Sequence, residues 1–413
     1  MKRLVINPGI FLSLFLVFST FRNVEAQTNS FRIIGYVPNW IDVNSFAQNF
    51  NYKQVTHINF AFQNPNAAGD LVESNTGLAI LVEKAHQNKV KVLISLGGAS
   101  SAEVPIRTYF QDMISTSAKR AGFIHKIVVY LNKFKLDGLD VDEEGPAIDS
   151  NYGPFVKQLA DSLKSKGMLL TAAVGWGSEN IPNSSLQYFD WINLMAYDLT
   201  GSWDFNRPGQ HSPYGYAQQM IKDWKNRGVK KENLCLGVPF YGYGFYKSVG
   251  SYNYVDILAR YPDAWQKDQV GDTIYYNGMP TIWRKTKLAM AETSGIMIWE
   301  LSNDVAGDKS LLKVISSTVD SLQTYSEINR KQNGKMVVYP NPAGNELTIS
   351  NFFSKKAASV EILNLQGIQV KTVRLLQSEG SSFQINISSL SDGTYICRVN
   401  SPEGNQSEMF VKE

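Results

Sequence analysis

Residues 137–144 read Asp-Gly-Leu-Asp-Val-Asp-Glu-Glu, and this stretch decides the fold. Asp140, Asp142 and Glu144 fall two apart, with Leu139 and Val141 between them. Along a β-strand successive side chains leave on opposite faces, so the three carboxylates share one face and the apolar pair the other. Asp137 belongs one residue out of step. The arrangement fits the wall of a barrel, acids inward and the apolar pair outward against helices. Acids gathered inside a barrel destabilise one another unless protons are shared, because like charges at close range do not all ionise. Such a cluster implies chemistry. Glu144 sits at the carboxyl end of its strand, where barrel enzymes place their reacting groups, and crowding by Asp142 keeps it protonated near neutral pH. A protonated carboxyl there can donate to a leaving-group oxygen. The competing use of this spacing is a divalent cation site, but a calcium loop has a central glycine and hydrated spacers where this stretch has Leu and Val.

Outward from this stretch, short β-branched or aromatic runs alternate with helical patterns such as 153–166 and 214–227. The runs lie at 32–37, 55–62, 90–96, 136–144, 168–175, 191–197, 234–241 and 295–301. Each is nearly continuously apolar, which marks strands covered on both faces. Eight such units predict an α/β chain built as a (β/α)8 TIM barrel. Residues 243–280, rich in Tyr, Gly and Asp, read as a short insertion at the barrel mouth or as a long surface loop. A polar linker at 323–335 follows. From 336 to 413, strand patterns are punctuated by turn signals at Pro340-Asn341-Pro342, Gln366-Gly367 and Asp392-Gly393. They predict a small C-terminal antiparallel β-sandwich.

Lys plus Arg at 40 against Asp plus Glu at 37 leaves a formal charge of +3, too balanced for a nucleic-acid footprint. At the N-terminus Lys2 and Arg3 precede an apolar stretch, 10–18, and small residues flank a cut before Gln27. That pattern reads as a signal peptide over 1–26, leaving a catalytic domain over 27–322. No later segment approaches the roughly 20 apolar residues of a membrane span. Cys235 and Cys397 fall in different predicted domains, so they read as buried small hydrophobes rather than a disulfide. The expected product is an exported monomer.

A second constellation, Met-Ala-Tyr-Asp at 195–198, ends the sixth run with Met195 and Tyr197 on one face and Asp198 at the mouth. A phenol there can hydrogen-bond a substrate carbonyl, or serve as an ordinary core tyrosine. Trp299 on the eighth run can floor a sugar site or fill the core. Tyr36, Phe60, Ser95 and Tyr241 carry weaker signals of the same kind.

Together these residues resemble glycoside hydrolase family 18, the chitinases and endo-β-N-acetylglucosaminidases. The fourth-strand pattern DGxDxDxE is met by Asp137, Gly138, Asp140, Asp142 and Glu144. The third-strand SxGG is met by Ser95-Leu96-Gly97-Gly98, the sixth-strand Met-x-Tyr-Asp by Met195 to Asp198, and the eighth-strand Trp by Trp299. The resemblance covers 32–322 and implies a retaining, substrate-assisted reaction on an N-acetylglucosamine-containing polysaccharide or glycan. It implies Glu144 as the acid and Asp142 as the group orienting the substrate acetamide, with Asp140 sharing its proton. Tyr197 would hold the acetamido carbonyl and Asp198 the same sugar. Tyr36 and Ser95 would support Asp140, Trp299 would be the apolar floor, and Met195, Phe60 and Tyr241 would line the site. No metal or organic cofactor is implied. Sugar-binding relatives without activity typically lack the acid, so Glu144 and Asp142 count against a lectin. Two departures stand out. Position 143, often Trp in chitinases, is Glu143, and the insertion before the eighth strand is shorter than in many of them. Both argue against a deep processive cleft and keep N-glycan cleavage open beside chitin cleavage. The tail, through YPNPAGNELTI, VEILNLQGIQV and DGTYICRV, resembles the sorting domain of type IX secretion in Bacteroidota. That resemblance implies the secretion machinery as a partner and the cell surface or medium as the destination.

Overall fold

The computed structural model describes residues 31–71, 77–271, 273–333, 336–350, 359–374, 382–401 and 404–413. The expected signal peptide, 1–26, lies outside the described residues. Seven parallel strands come first: β1 (Arg32–Pro38), β2 (His57–Ala61), β3 (Lys91–Gly97), β4 (Gly138–Asp142), β5 (Leu169–Val174), β6 (Trp191–Leu194) and β7 (Leu234–Pro239). Four short strands of a separate antiparallel sheet follow: β8 (Tyr241–Gly244), β9 (Gly250–Asn253), β10 (Gln269–Val270) and β11 (Ile274–Tyr275). Then β12 (Gly295–Trp299) pairs with both β7 and β1 and closes an eight-stranded parallel barrel. The eight expected runs are these eight strands. The 243–280 stretch is an insertion with its own sheet. That sheet starts at Tyr241, because the barrel strand stops at Pro239, which has no N–H to carry the ladder onward.

Side-chain alternation sorts each barrel strand into two layers. Leu139 and Val141 of β4, with Val92, Ile94 and Leu96 of β3, pack outward with Phe155 and Leu159 of the helix Tyr152–Lys164. Each fully buried Leu, Ile or Phe of this kind stabilises by about 1.5–3 kcal/mol. Inward lie Ile34, Tyr36, Ala61, Ala173, Trp191, Cys235 and Met297, a separate apolar cluster. Asp137 points away from the barrel interior, as its parity requires, and takes the Val92 N–H at 2.7 Å and the His86 ring at 2.8 Å. The helix Leu311–Asn333 is capped by Asp304, which accepts from the Leu311 and Leu312 N–H groups at 2.9 Å each. It continues into the 323–335 stretch expected as a linker. Polarity suggested an irregular chain there, but Glu, Arg, Lys and Gln are good helix formers.

The tail holds β13 (Val337–Tyr339), β14 (Glu346–Ser350), β15 (Ser359–Asn364), β16 (Gln369–Arg374), β17 (Ser382–Asn386), β18 (Gly393–Ser401) and β19 (Gly404–Lys412). They form two antiparallel sheets, ordered β13-β14-β17 and β16-β15-β18-β19. One core joins them, with Val338, Leu347 and Ile349 from the first sheet and Val360, Ile362, Cys397, Val399 and Phe410 from the second. At the β15–β16 turn, Gly367 has a φ of 77°. The Asn364 side chain takes the N–H groups of Gln366 and Ile368, the local chemistry that makes an Asn-x-x-Gly stretch turn. Cys235 and Cys397 are both buried free thiols.

Candidate active site

Backbone register brings polar residues of five strands to one level of the barrel. Asp140 lies opposite Ser95 of β3 and Thr171 of β5. Its Oδ2 accepts from the Tyr36 hydroxyl at 2.5 Å and the Ser95 hydroxyl at 2.8 Å. Its Oδ1 accepts from the Thr171 hydroxyl at 2.5 Å and the Asn193 amide at 3.4 Å. Burial raises the Asp140 carboxyl above its ordinary range, and the hydrogen bonds from Thr171, Tyr36 and Ser95 pull partly against it. With both oxygens engaged by four donors, Asp140 is an anchor rather than a free ligand, which removes the basis for a three-carboxylate cation site. Among the described residues no hydrogen bond joins Asp140 to Asp142, and Asp140 acts on its neighbour by raising the Asp142 carboxyl.

Asp142, one pleat nearer the mouth, is buried and its Oδ1 has no partner among the described residues. Burial pushes it well above its ordinary range, followed by the neighbouring Glu144, Asp140 and Glu143. Glu144 is half-buried beyond the end of β4, where the chain turns through Gly145 at a φ of 53°. Its carboxyl is pushed up to about 7 by burial and then by Asp198. To the repulsion between Glu144 and Asp142 that the sequence pointed to, folding adds Asp198 from two strands away. Glu143 is buried, hydrogen-bonded by Ser101 and pushed up to about 8, mainly by burial. The same Ser101 hydroxyl accepts the Glu144 N–H at 3.0 Å.

Glu144 and Asp142 open into a cavity of about 310 Å³ lined also by Trp40, Phe62, Ala99, Ser100, Met195, Tyr197, Asp198, Tyr241 and Trp299. A second hollow of about 400 Å³ shares Trp40, Asp198, Tyr241 and Trp299 with it and extends along the inserted sheet to Tyr243, Ser251 and Asn253. The two form one cleft across the barrel mouth. Its wall is aromatic: Trp299 stacks on Phe62 at 5.5 Å, meets Tyr36 edge-on at 5.4 Å and stands 6.3 Å from Trp40. Trp40 is 63% exposed, an apolar face offered to whatever enters. The glycines of the third-strand motif make the geometry possible. A side chain on Gly97 would collide with the Asp142 carbonyl, and one on Gly98 with the Phe62 ring.

Opposite the acids, the Tyr197 hydroxyl reaches the Met297 thioether at 3.8 Å, a weak acceptor that leaves the phenol ready for a better one. Its ionisation is pushed well above the usual range, first by burial. Asp198 takes the left-handed conformation, φ 61°, and its Oδ1 accepts from the Tyr241 hydroxyl at 2.5 Å. His211, fully buried, faces both the Asp198 N–H at 3.4 Å and its Oδ1 at 3.2 Å.

Of the residues singled out from the sequence, Glu144, Asp142, Met195, Tyr197, Asp198, Tyr241 and Trp299 line this cleft, while Tyr36 and Ser95 lie one layer deeper on Asp140. Phe60 does not belong. It is fully buried in the layer between strands and helices, because β2 turns Asn59 and Ala61 inward and Phe60 outward. Phe62, past the end of β2, supplies the aromatic ring instead. Thr171, Asn193, Trp40 and His211 were missed. Thr171 and Asn193 had a signal, a polar residue within an otherwise apolar strand; Trp40 and His211 sit in loops that no periodicity places.

The chain matches glycosyl hydrolases family 18 over residues 32–304 and the secretion system C-terminal sorting domain over 337–413. It is similar to the solved GH18 chitinase from the chitin utilization locus of Flavobacterium johnsoniae, with 35% identity and a TM-score of 0.66 over 71% of this chain and 95% of that one. A chitinase from Bacteroides thetaiotaomicron gives 30% identity and a TM-score of 0.63 over 70% and 96%. A class V chitinase of Lotus japonicus is 27% identical over 65% of this chain and 82% of its own. The family match spans the barrel and every residue of the acid ladder and cleft, so the chain belongs to the glycosyl hydrolases of family 18: it is a glycosidase, with a secretion sorting domain following its barrel.

Proposed function

We propose that this glycosidase is a chitinase that cleaves β-1,4 bonds next to N-acetylglucosamine in chitin or chitooligosaccharides, with retention and with help from the substrate's own acetamide. The observation that carries the proposal is Glu144: a carboxyl raised to about 7 on the wall of an aromatic cleft that also holds Asp142 and Tyr197. In the first step Glu144 gives its proton to the glycosidic oxygen while the acetamido oxygen attacks the anomeric carbon, expelling the leaving sugar. The Tyr197 hydroxyl holds that acetamido oxygen in line, and Asp142 takes the acetamido N–H and the positive charge that grows on the group. In the second step Glu144, now ionised, removes a proton from water as it opens the cyclic intermediate, which returns the anomeric centre to β. Asp140, tied by four hydrogen bonds, keeps negative charge beneath Asp142. Trp299 carries the sugar's apolar face, and Asp198 and Tyr241 contact its rim.

Proton NMR of chitotetraose hydrolysis tests the proposal: β-anomer is expected in the first minutes, and initial α-anomer would refute the retaining route. A second reading, cleavage between the two core sugars of N-glycans, is favoured by an acid at 143 and a small insertion. Release of oligosaccharide from a high-mannose glycoprotein faster than from chitin oligomers would establish it. A lectin is disfavoured by the presence of both Glu144 and Asp142. For the tail, we infer export through type IX secretion to the cell surface or medium, after a signal peptide at 1–26. A chain lacking 336–413 is expected to stay cell-associated, and normal secretion of it would overturn that reading.

A further inference from the structure

Lys285 is fully buried in the helix Met279–Glu292, and its hydrogen bonds go to Ser212 and Asn277, outside the cleft lining. Its ammonium donates to the Ser212 carbonyl at 2.6 Å, the Ser212 hydroxyl at 2.6 Å and the Asn277 side-chain oxygen at 2.7 Å. Three N–H donors meet three acceptors, the arrangement that lets a buried cation exist at all. Burial still pushes Lys285 down to about 7, with Asp268 acting weakly in the other direction. The side chain therefore carries a cost, and the bonds it makes indicate its use. The Ser212 hydroxyl in turn donates a hydrogen bond to the Ala196 carbonyl at 2.7 Å, and the Asn277 amide donates to the Ser212 carbonyl at 3.0 Å. One residue before Ser212, the His211 ring sits between Asp198 and the Tyr241 carbonyl, 3.2 Å from each. The chain of bonds thus runs from a helix behind the barrel to the peptides on either side of Tyr197.

We propose that Lys285 is a positioning residue for the reaction, fixing through Ser212 and His211 the Ala196–Asp198 segment that presents Tyr197 and Asp198 to the substrate. The inference rests on the active-site reading given above. The segment needs holding: β6 stops at Leu194, and Asp198 occupies a left-handed conformation that a non-glycine residue adopts at a cost. Main-chain bonds hold the segment's two ends, Met195 N–H to the Val174 carbonyl at 2.9 Å and Leu199 N–H to the His211 carbonyl at 3.0 Å, and the clamp from Lys285 holds its middle through the Ala196 carbonyl. Of the titratable groups around it, Asp268 on the insertion accepts from the Gly278 N–H at 2.8 Å and the Thr281 hydroxyl at 2.6 Å at the start of the lysine's helix, while Asp198, His211 and Tyr241 lie at the mouth.

The test uses Lys285→Gln and Ser212→Ala in the full chain. Folding is checked by circular dichroism, chitotetraose kinetics give kcat and KM, and hydrogen exchange is read on a peptide spanning 195–200. Lys285→Gln is expected to speed exchange in that peptide and to lower kcat by roughly 10- to 100-fold, the scale of a small misplacement of reacting groups, with KM within about threefold. Ser212→Ala should do the same to a lesser degree. The double variant should lose no more than the larger single loss, because both act on one chain of bonds. Unchanged exchange, unchanged kcat in folded Lys285→Gln, or losses that multiply in the double variant would each overturn the proposal. Should Lys285→Gln fail to fold, Ser212→Ala decides, since it keeps two of the three lysine bonds and cuts the link to Ala196. A wild type that leaves chitotetraose and glycoprotein intact would refute the proposed function, and the exchange readout would still decide this one.

Discussion

The mouth of the barrel and the core of the tail are built on opposite terms. Between the tail's two sheets lie Val338, Leu347, Ile349, Val360, Ile362, Val399 and Phe410, with Lys412 as the charged residue buried among the described ones. The barrel buries Asp140, Asp142, Glu143, Lys285 and Glu300, each raised or lowered from its ordinary range by loss of water. Removing charge from water costs several kcal/mol unless partners replace the solvent. A fold accumulates such groups only where their altered protonation does something. Lys412 apart, the core of the tail is apolar contact, which suits a domain that is recognised from outside. The barrel carries its costly groups at the level of the cleft and in the supports just behind it.

The sharpest attempt to break this contrast is Glu144→Gln, which keeps shape and removes the proton. Turnover is expected to fall by about 10² to 10⁴ with the fold intact by circular dichroism. Near-normal turnover would refute the assignment. Tyr197→Phe removes one hydrogen bond to a group that becomes charged, about 1.5–3 kcal/mol, and kcat should drop by about 10- to 100-fold. The pH profile follows from the same burial. Glu144 must be protonated to act, so kcat should decline about tenfold per unit as pH rises above about 7. A rate still flat at pH 9 would mean that another group is the acid. Stability should move with the buried acids. Glu143 is raised from an ordinary 4.5 to about 8, so its contribution is complete below about 4.5 and is lost as pH climbs through 8. Glu143→Gln should therefore flatten the fall of melting temperature over that window. In the tail the expected effect on catalysis is nil: Ile362→Ala should cost about 2–5 kcal/mol in urea unfolding of the sandwich while kcat stays within error. A change in kcat would tie the sandwich to the active site.

The acid ladder was legible because a strand's period of two is rigid: residues 140, 142 and 144 share a face wherever the strand sits. Phe60, expected at the site, had no such ladder behind it. Periodicity gives two faces without saying which one looks inward, and the strand ends at Ala61, so Phe62 escapes the alternation altogether. Glu144 and its neighbour Asp142 were legible from their places in the ladder, whereas the other carboxylate that raises Glu144, Asp198, is distant in sequence and near only after the barrel closes.

From the sequence by itself came the eight strands, the two-layer barrel, the sandwich and the ladder of acids that holds Glu144, all consequences of local patterns repeated along the chain. Tertiary structure decided which donors engage Asp140, that Trp40 and Phe62 complete the aromatic wall, and that Lys285 reaches the back of Ser212. Those outcomes depend on register and on where loops land once distant strands are side by side. Burial acts on a charge only after the whole barrel has excluded water from it, so no local pattern could have announced them.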